Sequence, residues 1–353
     1  MKQTIMVTGG AGFIGSNFIR YVFEQTDFKG SIVNVDSLTY AGNLASLADV
    51  QQQYQDRYHF EKADICDTES MPRIFDKYGV DKVVHFAAES HVDRSIEGST
   101  VFIRTNILGT HNLLEVAREK WQGREDVRFH HVSTDEVYGS LGQTGFFYED
   151  TPYDPRSPYS ASKASSDHLV RAAFHTHNFP VTISNCSNNY GPYQFPEKLL
   201  PLMILNMLNG KELPVYGDGK NIRDWLYVDD HNSAVWSILN NGEAGRTYNI
   251  GGENEWENIK LIKCLCKVVA NKTGKAEEDL LKLIAYVKDR PGHDRRYAIN
   301  CDRIKSELGW KRSVEFERGL EKTVDWYLEN AEWIDLVQSG KYRDWIEENY
   351  TKR

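Results

Sequence analysis

Short apolar runs alternate with amphipathic stretches through the first half of the chain. The short runs are rich in β-branched and aromatic residues, as strands are, whereas the stretches between them repeat apolar residues at helical spacing. The predicted strands are 4–8, 31–36, 58–62, 82–87, 128–133 and 181–185, and the predicted helices are 17–24, 68–78, 105–121 and 159–177. This alternation predicts an α/β fold with a Rossmann-type doubly wound parallel sheet, covered by helices on both faces.

The pattern changes after about residue 188. Segments interrupted by Pro and Gly follow, with clustered aromatic residues and a basic stretch at 289–296, and they indicate a smaller C-terminal lobe. A strand-like run at 245–252 returns to the earlier pattern. We therefore predict a discontinuous division, in which residues 1–188 plus about 227–252 form the Rossmann domain and about 189–226 and 253–353 form the second lobe.

The composition is that of a globular protein with an acidic surface. Of 353 residues, 40% are hydrophobic and 26% are charged, and the formal net charge is -9. This charge argues against nucleic acid or an anionic membrane as the main partner. The first apolar run is too short for a signal peptide, and no run reaches the ~20 residues of a membrane span, which predicts a cytoplasmic protein. The five cysteines lack CxxC spacing, so we expect reduced thiols and no metal site.

A glycine-rich turn follows the first predicted strand. Gly9, Gly12 and Gly15 fit G-x-x-G-x-x-G, and Gly10 with the last two fits G-x-G-x-x-G. Glycine is needed where the backbone turns tightly, where it approaches a pyrophosphate without a Cβ, and where helix packs closely on strand. The helix that begins here offers free N–H groups to phosphates. Taken alone, the motif also fits a tight strand-to-helix connection.

An acidic residue at the end of the second predicted strand supports dinucleotide binding. Asp36 follows Gly15 by about 20 residues, the position from which a carboxylate accepts hydrogen bonds from the ribose of NAD. A 2′-phosphate would be repelled there, so we predict NAD rather than NADP. The segments 63–65 and 86–90 also follow strand ends, on the edge where open α/β sheets bind ligands. Ordinary loop chemistry is the alternative for both segments.

Tyr159 and Lys163 are four residues apart on a predicted helix that Ser157 can cap and Pro158 can start. Both side chains therefore share one face. A nearby ammonium favours the phenolate form of a tyrosine, which can then take a proton from an alcohol while NAD takes the hydride. A solvated pair at this spacing is the alternative.

A hydroxyl and two carboxylates follow the fifth predicted strand. Thr134 completes a redox centre with the tyrosine and the lysine, and Asp135 and Glu136 come next. Adjacent side chains on a strand point to opposite faces, so a turn or helix start must begin here if both acids serve one substrate. Two acids beside a redox site suit an elimination, in which one removes a carbon-bound proton and the other protonates the leaving hydroxyl. The alternative is a helix start with favourable acidic residues.

These motifs together resemble the extended short-chain dehydrogenase/reductases, and within them the dTDP-glucose 4,6-dehydratase family, over nearly the full chain. The segments that carry the resemblance are 8–15, 36–43, 87–95, 133–139, 157–169, 185–200, 222–225 and 289–297.

The resemblance implies a nucleotide-sugar substrate and a residue-by-residue mechanism. Tyr159, assisted by Thr134 and Lys163, would oxidise the C4 hydroxyl of the sugar. Glu136 would take the C5 proton, Asp135 would protonate the departing C6 hydroxyl, and the hydride would return to C6. NAD would thus be regenerated in each cycle. The resemblance also implies a homodimer paired through the helices at 105–121 and 159–177.

The resemblance further implies two sets of binding residues. Those for the cofactor are Gly9, Gly12, Phe13, Ile14, Gly15, Asp36, Ser37, Leu38, Thr39, Asp64, Ile65, Phe86, Ala87, Ala88, Ser90, Thr105, Tyr159, Lys163 and Asn189. Those for the substrate are Ser90, Thr134, Asp135, Glu136, Asn188, Lys198, Leu199, Pro214, Val215, Tyr216, Arg223, Asn258, Asp289, Arg290 and His293. The two arginines suit bidentate phosphate recognition, with surface salt bridges as the alternative.

Other functions remain open at this point. A nucleotide-sugar 4-epimerase or decarboxylase of the same fold would share the NAD site and the Tyr-Lys pair, but an epimerase would have no task for the two acids. A dinucleotide-sensing regulator that has lost catalysis is opposed by the intact Thr, Tyr and Lys. The sequence favours dTDP only through family resemblance, and UDP, CDP or GDP would need modest changes in the base pocket.

Overall fold

The central element is a seven-stranded parallel sheet. It comes from a computed structural model that describes residues 3–289 and 292–338. The strand order is β10-β6-β5-β4-β1-β2-β3. Its strands are β1 (Thr4–Thr8), β2 (Ser31–Asp36), β3 (Tyr58–Lys62), β4 (Lys82–His85), β5 (Arg128–Thr134), β6 (Val181–Cys186) and β10 (Thr247–Ile250). The predicted Rossmann-type sheet is confirmed, with β4 ending two residues before the predicted boundary.

Helices cover both faces of this sheet. They are α1 (Phe13–Gln25), α2 (Ala48–Gln53), α3 (Ser70–Tyr78), α4 (Val92–Glu97), α5 (Thr100–Phe102), α6 (Thr110–Lys120), α7 (Pro158–His177), α9 (Val228–Asn241) and α12 (Asp302–Leu308), with 3₁₀ turns at Leu44–Leu47 and Asp135–Tyr138. The helix predicted at 17–24 begins earlier because Gly12, in extended conformation, is its N-cap.

The helix predicted at 105–121 is interrupted. A π-helix at Ile103–Gly109 precedes α6. Its Asn106 side chain donates to the Glu89 carbonyl and the Ser162 hydroxyl, and it accepts from the Glu89 N–H. A widened turn of this kind often lies next to a functional site, and here it joins the loop after β4 to α7.

The second half of the chain forms two small sheets and a separate helical layer. The strands are β7 (Asn188–Tyr190), β8 (Leu213–Tyr216), β9 (Ile222–Tyr227), β11 (Glu255–Glu257) and β12 (Ile284–Val287), paired in the orders β11-β9-β7 and β12-β8. The helices are α8 (Leu199–Leu208), α10 (Asn258–Thr273), α11 (Glu277–Leu281), α13 (Phe316–Glu329) and α14 (Ala331–Val337). Apolar faces of α8, α10 and α13 form a shared core.

The core of the central sheet also takes residues from the far end of the chain. Ile299, Ile304 and Trp310 are buried in one cluster with Ile5 and Ile250. The C-terminal third therefore contributes to both hydrophobic cores. The predicted division assigns residues from about 253 onward to the second lobe and does not include their contribution to the core of the central sheet. All five cysteines are free, and none of the helices within 3–289 and 292–338 is long and apolar enough to cross a membrane.

Several histidines are fully buried in the central sheet and its helices. Burial lowers the pKa of His231, on α9, to about 3. Within the described residues, neither of its ring nitrogens has a hydrogen-bond partner. The folded protein therefore holds this ring neutral at a pH where the unfolded chain protonates it. Because the folded pKa is depressed, stability from this residue is lost as the pH falls below the ordinary histidine value of ~6.5.

We expect His231→Leu to remove this part of the acid sensitivity. Between pH 7 and pH 5 the wild-type protein should lose about 2 kcal/mol of unfolding free energy that the variant keeps, since each pH unit below the unfolded pKa is worth about 1.4 kcal/mol. Urea unfolding at both pH values measures the difference. His177→Leu, at an exposed histidine, is the matched control. Equal pH dependence in wild type and His231→Leu would refute this account.

Candidate active site

A cavity of about 440 Å³ lies at the carboxyl ends of the central strands. The chain proceeds outward from β1 to β3 on one side and from β4 to β6 on the other, so connections diverge between β1 and β4, where open α/β sheets bind ligands. Residues predicted for cofactor or catalysis that line the cavity are Gly9, Gly12, Phe13, Ile14, Gly15, Asp36, Ser37, Thr39, Asp64, Ile65, Phe86, Ala87, Ala88, Ser90, Thr105, Thr134, Asp135, Glu136, Tyr159, Lys163 and Asn189.

The glycine turn is built as its motif requires. Gly9 has a φ of +70°, and a Cβ there would lie 2.7 Å from the backbone of Ala87. A Cβ on Gly15 would lie 2.3 Å from the Gly9 carbonyl oxygen. These positions accept glycine alone, and they bring the first turn of α1 against the cavity. The turn at Gly9 to Gly15 is therefore both a tight strand-to-helix connection and a surface that phosphates can approach closely. The residues present fit a dinucleotide.

The Asp36 carboxylate is fixed by the backbone on the cavity wall. One oxygen accepts from the Ala11 N–H at 2.9 Å and the other from the Leu38 N–H at 2.8 Å. Leu38 itself has a φ of +54° and does not line the cavity. A carboxylate oxygen accepts more than one hydrogen bond, so Asp36 keeps capacity for ribose hydroxyls. Burial raises the pKa of Asp36, and both backbone hydrogen bonds oppose that shift.

Helix α7 carries the predicted redox pair. Its first turn is fixed by a capping box, in which Ser157 and Ser160 each accept from the backbone N–H of the other. Tyr159 and Lys163 are both buried and both line the cavity. Lys163 Nζ donates to the Val132 carbonyl of β5 at 2.8 Å. The lysine is therefore anchored to the same strand that carries Thr134, two residues before it.

The pKa of Tyr159 shifts in the direction opposite to the one expected from Lys163. Burial raises the pKa of Tyr159 well above its ordinary value, and the nearby charge of Glu136 raises it further. A hydrogen bond with the Thr134 side chain opposes the shift. Burial also lowers the pKa of Lys163. The surroundings of Tyr159 within the protein therefore favour the neutral phenol.

The two acids lie on the 3₁₀ turn that begins at Asp135, as the sequence predicted. Thr134 is its N-cap, and its hydroxyl accepts from the Glu136 N–H at 3.3 Å. The turn lets both acids line one cavity, although they are adjacent in sequence. Asp135 is buried, whereas Glu136 is partly exposed. One acid is therefore enclosed by protein and the other is open to the cavity.

This difference in burial favours different chemical roles for Asp135 and Glu136. Burial raises the pKa of Asp135 well above its ordinary value, and the charges of Glu136 and Asp224 add to the shift. Two adjacent carboxyls in a dry site do not both ionise easily. Burial therefore favours the protonated form of Asp135, which suits it to donate a proton. Glu136, which is partly exposed to the cavity, is suited to accept one.

The predicted substrate residues fall into two places. Asn188 and Lys198 line the cavity, and Lys198 Nζ donates to the Ser90 carbonyl at 3.1 Å. Ser90, Thr134, Asp135 and Glu136, named above, line it as well. The remaining predicted substrate residues lie outside the cavity lining, in the second half of the chain: Leu199 at the start of α8, Pro214, Val215 and Tyr216 on β8, Arg223 on β9, Asn258 at the start of α10, and Asp289 and His293 after β12. Arg290 lies outside the described residues.

Contacts connect several of the more distant residues. His293 Nδ1 lies 2.6 Å from an Asp289 carboxylate oxygen, and the His293 ring packs edge-on against Tyr216. Arg223 stacks its guanidinium over Tyr297 at 4.3 Å. Within the described residues, the buried Oδ1 of Asn258 has no hydrogen-bond partner. An unsatisfied buried acceptor of this kind fits a ligand contact.

Some cavity residues were not identified from sequence. They include Arg104, Cys186, Ser187, Gln194, Phe195 and Glu197. The segment 194–197 follows β7 in irregular backbone, where neither helical nor strand periodicity marks which side chains point inward. A proline-punctuated loop after a short strand is the only signal that could have directed attention there.

Comparison with known proteins agrees with this geometry. The family model described as GDP-mannose 4,6 dehydratase matches residues 6–323. The chain is 55% identical to a dTDP-glucose 4,6-dehydratase of Shigella flexneri, over 99% of each chain. The structure of DesIV, a dTDP-glucose 4,6-dehydratase from Streptomyces venezuelae solved with NAD bound, matches with a TM-score of 0.87 and 44% identity, over 95% of this chain and 100% of the other.

A protein with the alternative activity, a 4-epimerase, matches with lower sequence identity. The UDP-glucose 4-epimerase of Thermotoga maritima has a TM-score of 0.82 but only 28% identity, over 93% of this chain and 100% of the other. The fold and the Tyr-Lys site thus define a class, the NAD-dependent short-chain dehydrogenase/reductases that act on nucleotide sugars. Within that class, the chain belongs to the dTDP-glucose 4,6-dehydratase family.

We expect Asp36→Ala to weaken NAD binding by about tenfold to a hundredfold, because two hydrogen-bond acceptors for the ribose are lost. NADP binding should not weaken and should strengthen slightly, since the carboxylate that repels its 2′-phosphate is removed. Titration calorimetry on protein stripped of cofactor measures both constants. Asp27→Ala, at an exposed acid distant from the cavity lining, controls for a change in net charge. An unchanged ratio of the two constants would contradict the role of Asp36.

Proposed function

We propose that the cavity converts dTDP-glucose to dTDP-4-keto-6-deoxyglucose by oxidation at C4, loss of water across C5 and C6, and reduction at C6. The protein is a lyase that uses NAD. The observation that carries the proposal is the pair of adjacent acids, one buried and protonated and one open to the cavity, beside a Tyr-Lys redox pair.

NAD, when bound, accepts a hydride from C4 and returns one to C6, and its positively charged ring favours ionisation of a nearby phenol. Tyr159 takes the proton of the C4 hydroxyl. Thr134 stabilises the phenolate through its hydrogen bond, and Lys163, fixed on the Val132 carbonyl, supplies positive charge at the same wall. The product of this step is a C4 ketone, which acidifies the proton on C5.

The acids carry out the elimination. Glu136 accepts the C5 proton, and Asp135 gives its proton to the C6 hydroxyl, which leaves as water. Reduction at C6 is then matched by return of a proton to C5. Burial raises the pKa of Asp135, so Asp135 suits the role of the acid and leaves the role of the base to Glu136. Glu136 gives its proton back to C5 as C6 is reduced, and the proton that Tyr159 took from the C4 hydroxyl replaces, through solvent, the one that Asp135 gave up, so each residue returns to its starting state.

The nucleotide end of the substrate is assigned to the second half of the chain. Lys198 at the cavity edge and Arg223 on β9 supply positive charge for a diphosphate. Asn258 and the Tyr216–His293 contact lie further out and suit the base and its ribose. Recognition of dTDP rests on the family, and the 4-epimerase alternative is not favoured, because it leaves Asp135 and Glu136 without a task.

Incubation with dTDP-glucose in deuterated water, without added cofactor, tests the proposal. We expect a sugar that has lost one water and carries deuterium at C5, identified by mass spectrometry and NMR. Glu136→Gln should slow deuterium entry at C5 by about a hundredfold or more, and Tyr159→Phe should slow all product formation similarly, while both retain NAD. An unchanged sugar mass with the wild-type protein, even after NAD is added, would exclude the dehydratase.

A homodimer is also proposed. Ile96 on α4 and Ile103 and Leu108 on the π-helix are each more than two-fifths exposed. Exposed apolar side chains close together in sequence are typical of a surface that meets a partner. The occupant we assign is a second copy of this chain, because the resemblance to the family implies pairing through 105–121, which contains Leu108, and 159–177.

Leu108→Glu should split the proposed dimer, because it places a charge in an apolar contact. Analytical ultracentrifugation at micromolar concentration should show twice the mass of one chain for the wild type and a single chain for the variant. Leu336→Glu, at an equally exposed leucine on α14, is the control and should remain dimeric. A wild-type protein that sediments as one chain would refute the dimer.

The division into domains and the cytoplasmic location stay predictions of the sequence.

A further inference from the structure

Tyr40, Arg94 and Glu197 form a cluster at the edge of the cavity, in which Glu197 is buried and the other two are half-buried. Arg94 lies on α4, Tyr40 in the segment after β2, and Glu197 in the segment after β7. The guanidinium carbon of Arg94 lies 3.9 Å from the centre of the Tyr40 ring. Its NH2 lies 3.3 Å from a Glu197 carboxylate oxygen. Three segments that are distant in sequence therefore meet at one cation.

The cluster is enclosed by protein. The Glu197 side chain is only 2% exposed and that of Arg94 24%. Glu197 also makes a side-chain hydrogen bond with Tyr40, and the Tyr40 ring packs edge-on against Phe195. Burial raises the pKa of Glu197, and the charges of Lys198 and Arg94 oppose this. A largely buried ion pair is weak support for folding in general, so its placement invites a functional explanation.

The cluster lies at the wall of the cavity. Thr39, Ala41 and Gly42, which flank Tyr40 in sequence, line the cavity, as do Phe195 and Glu197. The cluster thus joins the segment that follows Asp36 to a segment from the second half of the chain. Both segments border the space that a dinucleotide would fill.

The chemistry requires such retention. The hydride taken from C4 must return to C6 of the same sugar, so cofactor lost between the two transfers would strand the substrate as a 4-keto hexose. Resting on the proposed function, we infer that Tyr40, Arg94 and Glu197 form a latch that sets the rate at which the dinucleotide leaves, in both its redox states. They are positioning residues, and none of them is assigned a part in the bond-making steps.

The adjacent residue extends the latch toward the substrate. Asp93, next to Arg94 on α4, accepts a hydrogen bond from the Tyr216 hydroxyl at 3.2 Å. Tyr216 belongs to the predicted nucleotide end of the substrate site. The short helix α4 therefore contacts the cofactor latch through one residue and the nucleotide region through the next. One helix therefore contacts both regions.

Exchange of bound NAD for labelled NAD, measured on the holoenzyme without sugar, tests the latch. We expect Arg94→Ala and Glu197→Gln each to speed exchange by at least about tenfold, because each leaves a buried partner unpaired. Arg318→Ala, which breaks the exposed pair with Glu321 on α13, is the control and should exchange at the wild-type rate. Wild-type exchange rates in both latch variants would overturn the inference.

A double variant separates retention from stability. Arg94→Met with Glu197→Leu removes both charges together, and apolar replacement of a buried pair commonly restores stability. We expect its thermal midpoint to return toward the wild-type value while NAD exchange stays fast. Exchange that recovers together with the midpoint would show that the cluster acts only in folding and would overturn the latch. Because no sugar is present, the result is independent of whether dTDP-glucose is the substrate.

Discussion

The close approach of the Gly9 turn to the backbone at Ala87 is the contact on which the position of the cavity depends. The turn after β1 passes so near the end of β4 that a single methyl group on Gly9 would lie 2.7 Å from Ala87. At the same point the strand order diverges, and the carboxyl ends of the strands separate into a cleft. Asp36 after β2 and the 3₁₀ turn after β5 both border that cleft, and the contact of Gly9 with Ala87 fixes the start of α1 beside the end of β4.

Environment, rather than residue type, distinguishes the two acids of the site. Asp135 and Glu136 are neighbours with similar chemistry, yet the 3₁₀ turn encloses one and leaves the other partly open. The charge of Glu136 also acts on Asp135 and on Tyr159. The same carboxylate therefore favours the protonated form of both Asp135 and Tyr159. In the proposed mechanism, the charge of Glu136 thus acts on a residue of the elimination and on a residue of the redox step.

Much of the architecture could be predicted because its causes are local. The glycines, Asp36 and the Tyr-Lys spacing act over a few residues, and the requirement that both acids reach one substrate predicted the turn at Asp135. Features that depend on distant partners could not be predicted. The π-helix at Ile103–Gly109 depends on contacts of Asn106 with Glu89 and Ser162. Glu197 enters the cavity from irregular backbone, and the upward shift of the Tyr159 pKa depends on burial that no spacing reveals.

The position of β10 has a consequence for synthesis of the chain. The chain leaves the central sheet after β6 and returns only at Thr247, where β10 pairs with β6 as the last strand of the sheet. At translation rates of 5–20 residues per second, the ribosome needs on the order of several seconds to supply the roughly sixty residues between them. During that interval the growing chain presents β6 as an unpaired edge, which is the kind of surface that other strands join. The nascent polypeptide thus carries an unpaired sheet edge until the segment from Val228 to Ile250 has been synthesised and β10 has docked on β6.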